Sequence, residues 1–240
     1  MSEELNIGIQ LLPKDLKAKY FAKLEGEEGH LLDDTIDWDR QYLLQHSIPV
    51  EGLKTFLLGG CGSALSLSTM RDFIKGIRGD RPTKLIVTDL EDLAVKRMKP
   101  AIGDEILFQS DLLDPAIGSD SVGYIRLDFL QNFISPEKQL SLLKSLKRIV
   151  CANGIISSVL YMTCLDAVKQ LGTEISGKFN HSRVFNSNAE EVSFNYLCLS
   201  KEFLSRLCRE AGLILTFSFN KTEDFEDGKV DCQHVVMQKK

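Results

Sequence analysis

The stretch Phe56–Ser66 reads FLLGGCGSALS, an apolar run that passes into Gly59, Gly60, Cys61 and Gly62 and then into small residues. A short apolar run stopped by glycine reads as a buried strand, and the small residues from about Ser63 onward read as a helix. Glycines at such a turn let the backbone reverse tightly and let a ligand approach where a Cβ would clash. The helix that follows presents unpaired N–H groups to anything electron-rich.

Working outward, further strands are predicted at KTFLLG (54–59), KLIVT (84–88), EILFQ (105–109), VGYIRL (122–127), GIISSVLYM (154–162), LILTFSF (213–219) and QHVVMQ (233–238). Between them lie helical patterns, one running after KLIVT through Lys96. Another starts at Ser135-Pro136-Glu137, with serine as N-cap and proline in the first turn, and carries Leu140, Leu143, Leu146 and Val150 as its apolar stripe. A third opens at Ser200, sets Phe203, Leu204, Leu207, Cys208 and Ala211 on one face, and stops at Gly212. This alternation predicts an α/β fold: a doubly wound, mostly parallel, seven-stranded sheet with helices on both faces. A short turn at Asp227-Gly228 predicts that the last strand runs antiparallel.

Residues 1–50 read as a polar, helix-leaning leader or lid that contains the acidic stretch EGEEGHLLDDTIDWD (25–39), and residues 51–240 as the α/β domain. The acidic stretch is read as a solvated helix face. With 240 residues, 43% hydrophobic and 26% charged, the composition is that of an ordinary globular chain. A net charge of −5 argues against nucleic acid as the main partner. MSEELNIG at the start has no apolar core of a signal peptide, and no apolar run reaches membrane-spanning length. The cysteines at 61, 151, 164, 198, 208 and 232 form no CxxC pair and have no histidine at ligand spacing. They predict reduced thiols, no structural metal and a cytoplasmic location.

In open α/β sheets a ligand sits beyond the carboxyl ends of the strands. The dinucleotide fingerprint GxGxxG fails here because Leu65 stands where its third glycine would be. The stretch does resemble motif I of the class I S-adenosylmethionine-dependent methyltransferases, with Gly60 and Gly62 in the first two glycine positions and Cys61 between them. Ala64 replaces the third glycine, and Leu58 stands where that family usually carries an acidic residue. The later strand ends extend the resemblance. It implies that Asp89 holds the ribose hydroxyls and that Leu90 packs on the adenine. It implies that Asp111, beside Leu112, accepts from the adenine amino group, and that the segment from Asp128 through Gln131 and Asn132 lines the transferred methyl. An alternative for Asp89 is an N-cap, with Asp92 at N3.

The resemblance implies S-adenosylmethionine as cofactor and methyl transfer to an oxygen or nitrogen of a small-molecule acceptor. The [ND]PP[YF] motif of base- and glutamine-modifying members is absent at Leu127–Leu130, and no cysteine follows a proline as in the cytosine C5 type. Residues 163–199, which carry Phe179, His181, Arg183, Phe185, Phe194 and Tyr196, are read as a segment covering the substrate, with a homodimer interface as its alternative. His181 and Asn132 are the candidates for a catalytic role, although His181 also reads as a solvated loop histidine. His30 and His46 read as surface residues of the leader, and His234 as structural. A second reading, a catalytically silent domain that serves as a binding or scaffold partner, follows from the departures at Leu58, Ala64, Gln131 and Asn132. A third, a nicotinamide oxidoreductase, is opposed by Leu65.

Overall fold

The computed structural model describes residues 29–60, 64–162, 178–185, 190–225 and 228–240. Its strands are β1 (Thr55–Gly59), β2 (Lys84–Asp89), β3 (Ile106–Gln109), β4 (Val122–Asp128), β5 (Val150–Met162), β6 (Lys178–Phe185), β7 (Glu190–Leu197), β8 (Leu213–Phe225) and β9 (Gly228–Lys239). The helices are α1 (Gly29–Gln45), α2 (Ala64–Arg78), α3 (Asp92–Met98), α4 (Pro136–Ile149) and α5 (Lys201–Ala211). Seven strands make one sheet in the order β3-β2-β1-β4-β5-β9-β8, and β6 and β7 form a separate antiparallel pair. The strands β1 to β5 run parallel, while β9 is antiparallel to both β5 and β8.

The α/β sheet and its antiparallel last strand follow the sequence reading. The position of that strand does not follow from order along the chain: β9 lies between β5 and β8, and β8 is the edge. Burial gives the reason. Val235, Val236 and Met237 are all at most 1% exposed, so successive residues of β9 are covered on both faces, as an interior strand requires. Ile214 of β8 is 52% exposed, which an edge strand tolerates.

The period of two along each strand divides the core. Leu57, Ile86, Ile125, Ile156 and Met237 pack with Leu142, Leu143 and Leu146 of α4 and with Phe203 and Leu204 of α5. Phe56, Leu58, Val87, Tyr124 and Val236 pack with Leu67, Met70 and Phe73 of α2 and with Ile36 and Leu43 of α1. Each such buried side chain stabilises the fold by about 1.5–3 kcal/mol relative to an exposed one.

Several boundaries differ from expectation. Val150 already belongs to β5, so the buried face of α4 is Gln139, Leu142, Leu143, Leu146 and Ile149, with Leu140 at its margin. Ser135 occupies the N-cap position of α4 but makes no side-chain capping bond, whereas the Ser200 hydroxyl of α5 accepts from Phe203 N–H at 3.1 Å. Gly212 ends α5 at φ 72°, the left-handed conformation glycine adopts without a Cβ penalty. Gly228 is already paired with Phe225, so the connection is made by 226–227, which lie outside the described residues.

The predicted cover, 163–199, contains the β6–β7 hairpin; 163–177 and 186–189 lie outside the described residues. The segment leaves the carboxyl end of β5 and returns beside it, where Leu199 N–H donates to the Tyr161 carbonyl at 3.2 Å. Strand β7 lies against the short turn of 3-10 helix at Leu130–Phe133 that follows β4.

Candidate functional site

The parallel register sets Gly59 level with Thr88 of β2 and Leu127 of β4, and Asp89 level with Gln109 of β3. Gly60, Asp89, Asp111 and Asp128 therefore follow or end adjacent strands along one edge of the sheet. The chain runs outward from β1 through β2 to β3, then returns to place β4 on the other side of β1. The crevice between β1 and β4 is thus the point where strand order reverses, the usual ligand position in such sheets.

Gly60 has φ 68°, and its N–H donates to the Thr88 carbonyl at 2.9 Å. A Cβ there would stand 2.9 Å from Leu130 Cδ1, so both the turn and the packing require glycine. Cys61 and Gly62 lie outside the described residues. A Cβ on Gly59 would meet Leu112 Cδ1 at 2.6 Å, and the missing side chain is what lets Leu112 sit 6% exposed against β1.

Asp89 ends β2 half-buried, and its Oδ1 accepts from Glu91 N–H at 2.8 Å. Glu91 is the N-cap residue of α3 and Asp92 its first helical residue, so Asp89 makes an Asx turn rather than an N-cap. Leu90 is 38% exposed at the same edge, and its carbonyl accepts from Gln109 Nε2 at 2.9 Å. The Ser110 N–H donates to the Asp89 carbonyl at 3.0 Å, joining the β2 and β3 ends. Asp111 is exposed, and its Oδ1 accepts from Leu113 N–H at 2.9 Å.

Asp128 belongs to a buried polar cluster. Its Oδ1 accepts from Arg126 Nε at 2.6 Å. The other end of that guanidinium donates to Asp39 Oδ2 and, from Nη2, to Thr35 Oγ1 at 2.7 Å, both on α1. His234 Nε2 lies 3.0 Å from Asp39 Oδ1 and 3.1 Å from Ser157 Oγ. Burial by itself would raise the Asp39 pKa, but Arg126 and His234 outweigh it and hold the carboxyl at about 2. Burial opposes the charge on Arg126 as well, and Asp128 and Asp39 overcome it, so its pKa is raised. Trp38 is stacked on Phe219 at 5.7 Å between centroids and lies 6.0 Å from the His234 ring.

Sequence reasoning missed Arg126, Asp39, Thr35 and Ser157. A signal existed: Arg126 interrupts a strand otherwise apolar on both faces, and a guanidinium there needs acidic partners. The reading of the acidic stretch as a solvated face is corrected at Asp39, which is 2% exposed, while Asp37 is exposed.

Asn132, a candidate for a catalytic role, lies inside the protein. It is 0% exposed, its Nδ2 donates to the Tyr161 carbonyl at 2.9 Å, and its Oδ1 accepts from Tyr161 N–H at 3.0 Å. The amide serves as a clamp between the turn after β4 and strand β5. Backbone pairing sets His181 opposite Phe194 in the β6–β7 hairpin. His46 is exposed, its ring tilted against Tyr42 at 4.2 Å between centroids, while His234 is buried. Cys198, Cys208 and Cys232 are buried, and burial pushes the Cys208 thiol up to about 12. Among the described residues no cluster of three or more His, Cys, Asp or Glu could hold a metal, and no helix is long and apolar enough to cross a membrane.

No protein-family profile matches the chain, and no curated protein matches it in sequence. Solved structures do match in shape. A SAM-dependent methyltransferase from Methanosarcina mazei superposes with a TM-score of 0.61 at 13% identity, over 82% of this chain and 96% of its own. DhpI in complex with SAH gives a TM-score of 0.56 at 9% identity, over 94% of this chain and 96% of its own. A pericyclic reaction enzyme gives 0.51 at 13% identity, over 80% of this chain and 45% of its own. Identities this low speak of architecture, and one architecture hosts several chemistries. In strand order, in its antiparallel last strand and in the superposed shapes, this chain has the fold of the class I S-adenosylmethionine-dependent methyltransferases.

Proposed function

We propose that the chain binds S-adenosylmethionine and transfers its methyl group to an oxygen or nitrogen of a small-molecule acceptor. The observation that carries this reading is the left-handed Gly60 turn beside Asp89, at the point where strand order reverses. The residues fit the cofactor. Gly60 turns where a Cβ would meet Leu130, which leaves the backbone open to a ligand; Cys61 and Gly62, which the resemblance also assigns to the cofactor, lie outside the described residues. Asp89 offers a carboxylate to the ribose hydroxyls, Leu90 an exposed apolar face to the adenine, and Asp111 with Leu112 the adenine edge.

Bound there, the cofactor supplies a methyl activated on a sulfonium. The chain's own share is alignment and electrostatics. Gly60 and the start of α2 would hold one part of the ligand and Asp89 another; such positioning lowers the barrier by several kcal/mol, roughly. The Asn132 clamp keeps the turn after β4 against β5. The β6–β7 hairpin, whose β7 lies on the same turn, is the cover over the acceptor, and His181 on it is the candidate base.

Calorimetric titration with S-adenosylmethionine and S-adenosylhomocysteine tests the reading. Micromolar binding that Asp89→Ala weakens roughly ten- to hundredfold supports it. A folded protein that binds neither refutes it. One observation favours a second reading, a domain that binds without catalysing: Leu58 is 1% exposed and supplies no charge at the end of β1. Binding with no methyl transfer across an acceptor panel would support that reading instead.

A further inference from the structure

Phe129, the residue after β4, holds an unusual backbone conformation, with φ 55° and ψ 1°. Among the described residues, three that are not glycine have positive φ: Ser47 and Asp120 are short and polar, and Phe129 is the bulky one. A bulky side chain in the left-handed region is strained, and such strain persists where the surroundings enforce it. Here they do. Phe129 N–H donates to the Val159 carbonyl of β5 at 2.9 Å, and the Phe129 carbonyl accepts from Asn132 N–H at 3.0 Å. Glycine would make the same turn without strain, so what the strain retains is the ring.

That ring has a partner. Tyr161, two residues past Val159 on β5, stacks on it with 4.4 Å between centroids and 23° between planes. Both residues are half-buried, so neither ring is used up in filling the core. The pair stands at the carboxyl ends of β4 and β5. On the β1 side it adjoins the glycine turn, since Leu130, the next residue, is what a Cβ on Gly60 would meet. On the other side it stands at the root of the β6–β7 hairpin: β5 ends at Met162, and Leu199 N–H returns to the Tyr161 carbonyl at 3.2 Å.

We propose that Phe129 and Tyr161 are an aromatic platform on which the acceptor's ring stacks, so that the methyl acceptor is a planar aromatic hydroxy compound. This deepens the methyl-transfer reading above and rests on it. Two stacked rings still present an outer face and their edges, and a further ring seats on these offset or edge-on, roughly 4.5–7 Å between centroids. A saturated acceptor of the same size would gain burial and no stacking. In the transfer the acceptor's oxygen forms the new C–O bond, the S–CH3 bonding pair returns to sulfur, and the hydroxyl proton passes to a base or to water.

The test titrates phenol and cyclohexanol, its saturated counterpart, into the full chain saturated with S-adenosylhomocysteine, with binding followed by NMR shifts. Phenol should bind roughly three- to tenfold more tightly. Phe129→Leu keeps an apolar side chain on the same backbone and should abolish that preference without abolishing S-adenosylhomocysteine binding. The greater acidity of phenol is untouched by this substitution, so the variant separates stacking from it. Equal affinities in the wild type, no binding of phenol, or a preference that survives in Phe129→Leu would overturn the platform and leave the cofactor reading standing. A folded wild type that does not bind S-adenosylhomocysteine would overturn the cofactor reading, and with it the acceptor role of the platform. Should Phe129→Leu fail to fold, Tyr161→Leu takes its place with the same outcomes, and the wild-type ratio is decisive by itself if equal.

Discussion

Asp39 of α1 and Arg126 of β4 form an ion pair between positions 87 residues apart, with both side chains 2% exposed. The pair fastens α1 to the central sheet, next to the crevice where the cofactor is proposed to bind. Thr35 on the same helix and His234 on β9 complete the contact.

Removing one side of a buried ion pair leaves the other charge desolvated, at a cost of about 3–5 kcal/mol. Because Arg126 keeps Asp128, Asp39→Asn should destabilise the protein by roughly 3 kcal/mol, the lower end of that range. Urea denaturation followed through Trp38, the sole tryptophan, reads this directly. An unaltered midpoint would show that the pair adds nothing to stability.

Acid should unfold the protein for the same reason. The folded pKa of Asp39, about 2, lies below its ordinary 3.8, so its contribution is present above pH about 4 and is lost as pH falls toward 2. Glu105 behaves alike: hydrogen bonds from Arg71 at 2.5 and 2.9 Å outweigh burial and hold it at about 2. The urea midpoint should therefore drop between pH 4 and pH 2, and Asp39→Asn should flatten that slope. A variant as steep as the wild type would assign the loss to other groups.

Gly60→Ala places a Cβ at φ 68° and 2.9 Å from Leu130 Cδ1. The strain should cost about 1–2 kcal/mol of stability. Cofactor affinity should fall as well, because the added methyl and the displaced Leu130 stand at the cradle. Thermal melting paired with calorimetric titration separates the two effects, and a fully unaffected variant would show that the turn is no cradle.

Asn132→Ala removes both hydrogen bonds to Tyr161 and leaves its backbone groups without them. The expected loss is about 2–3 kcal/mol of stability, from two net hydrogen bonds plus a buried group left unsatisfied. Turnover per folded molecule should change little. Lost turnover at an unchanged melting temperature would instead make Asn132 a catalytic residue.

Much of the proposed site was legible because its signals are local. Gly60 ends an apolar run, and Asp89 and Asp111 each stop a strand; strand, turn and helix propensities act over a few residues. The alternation that gives an α/β sheet is local too, as is the Ser200 cap of α5.

What the sequence by itself determined is therefore the succession of elements and which residues stand at the strands' carboxyl ends. Tertiary structure alone decided the rest. It set β9 inside the sheet, because its residues are covered on both faces, and gave Asn132 to Tyr161 29 positions away. It also chose Asp39 for Arg126. A buried guanidinium demands carboxylates, but nothing in the one-dimensional pattern says which, because burial and pairing exist only once α1 lies against β4.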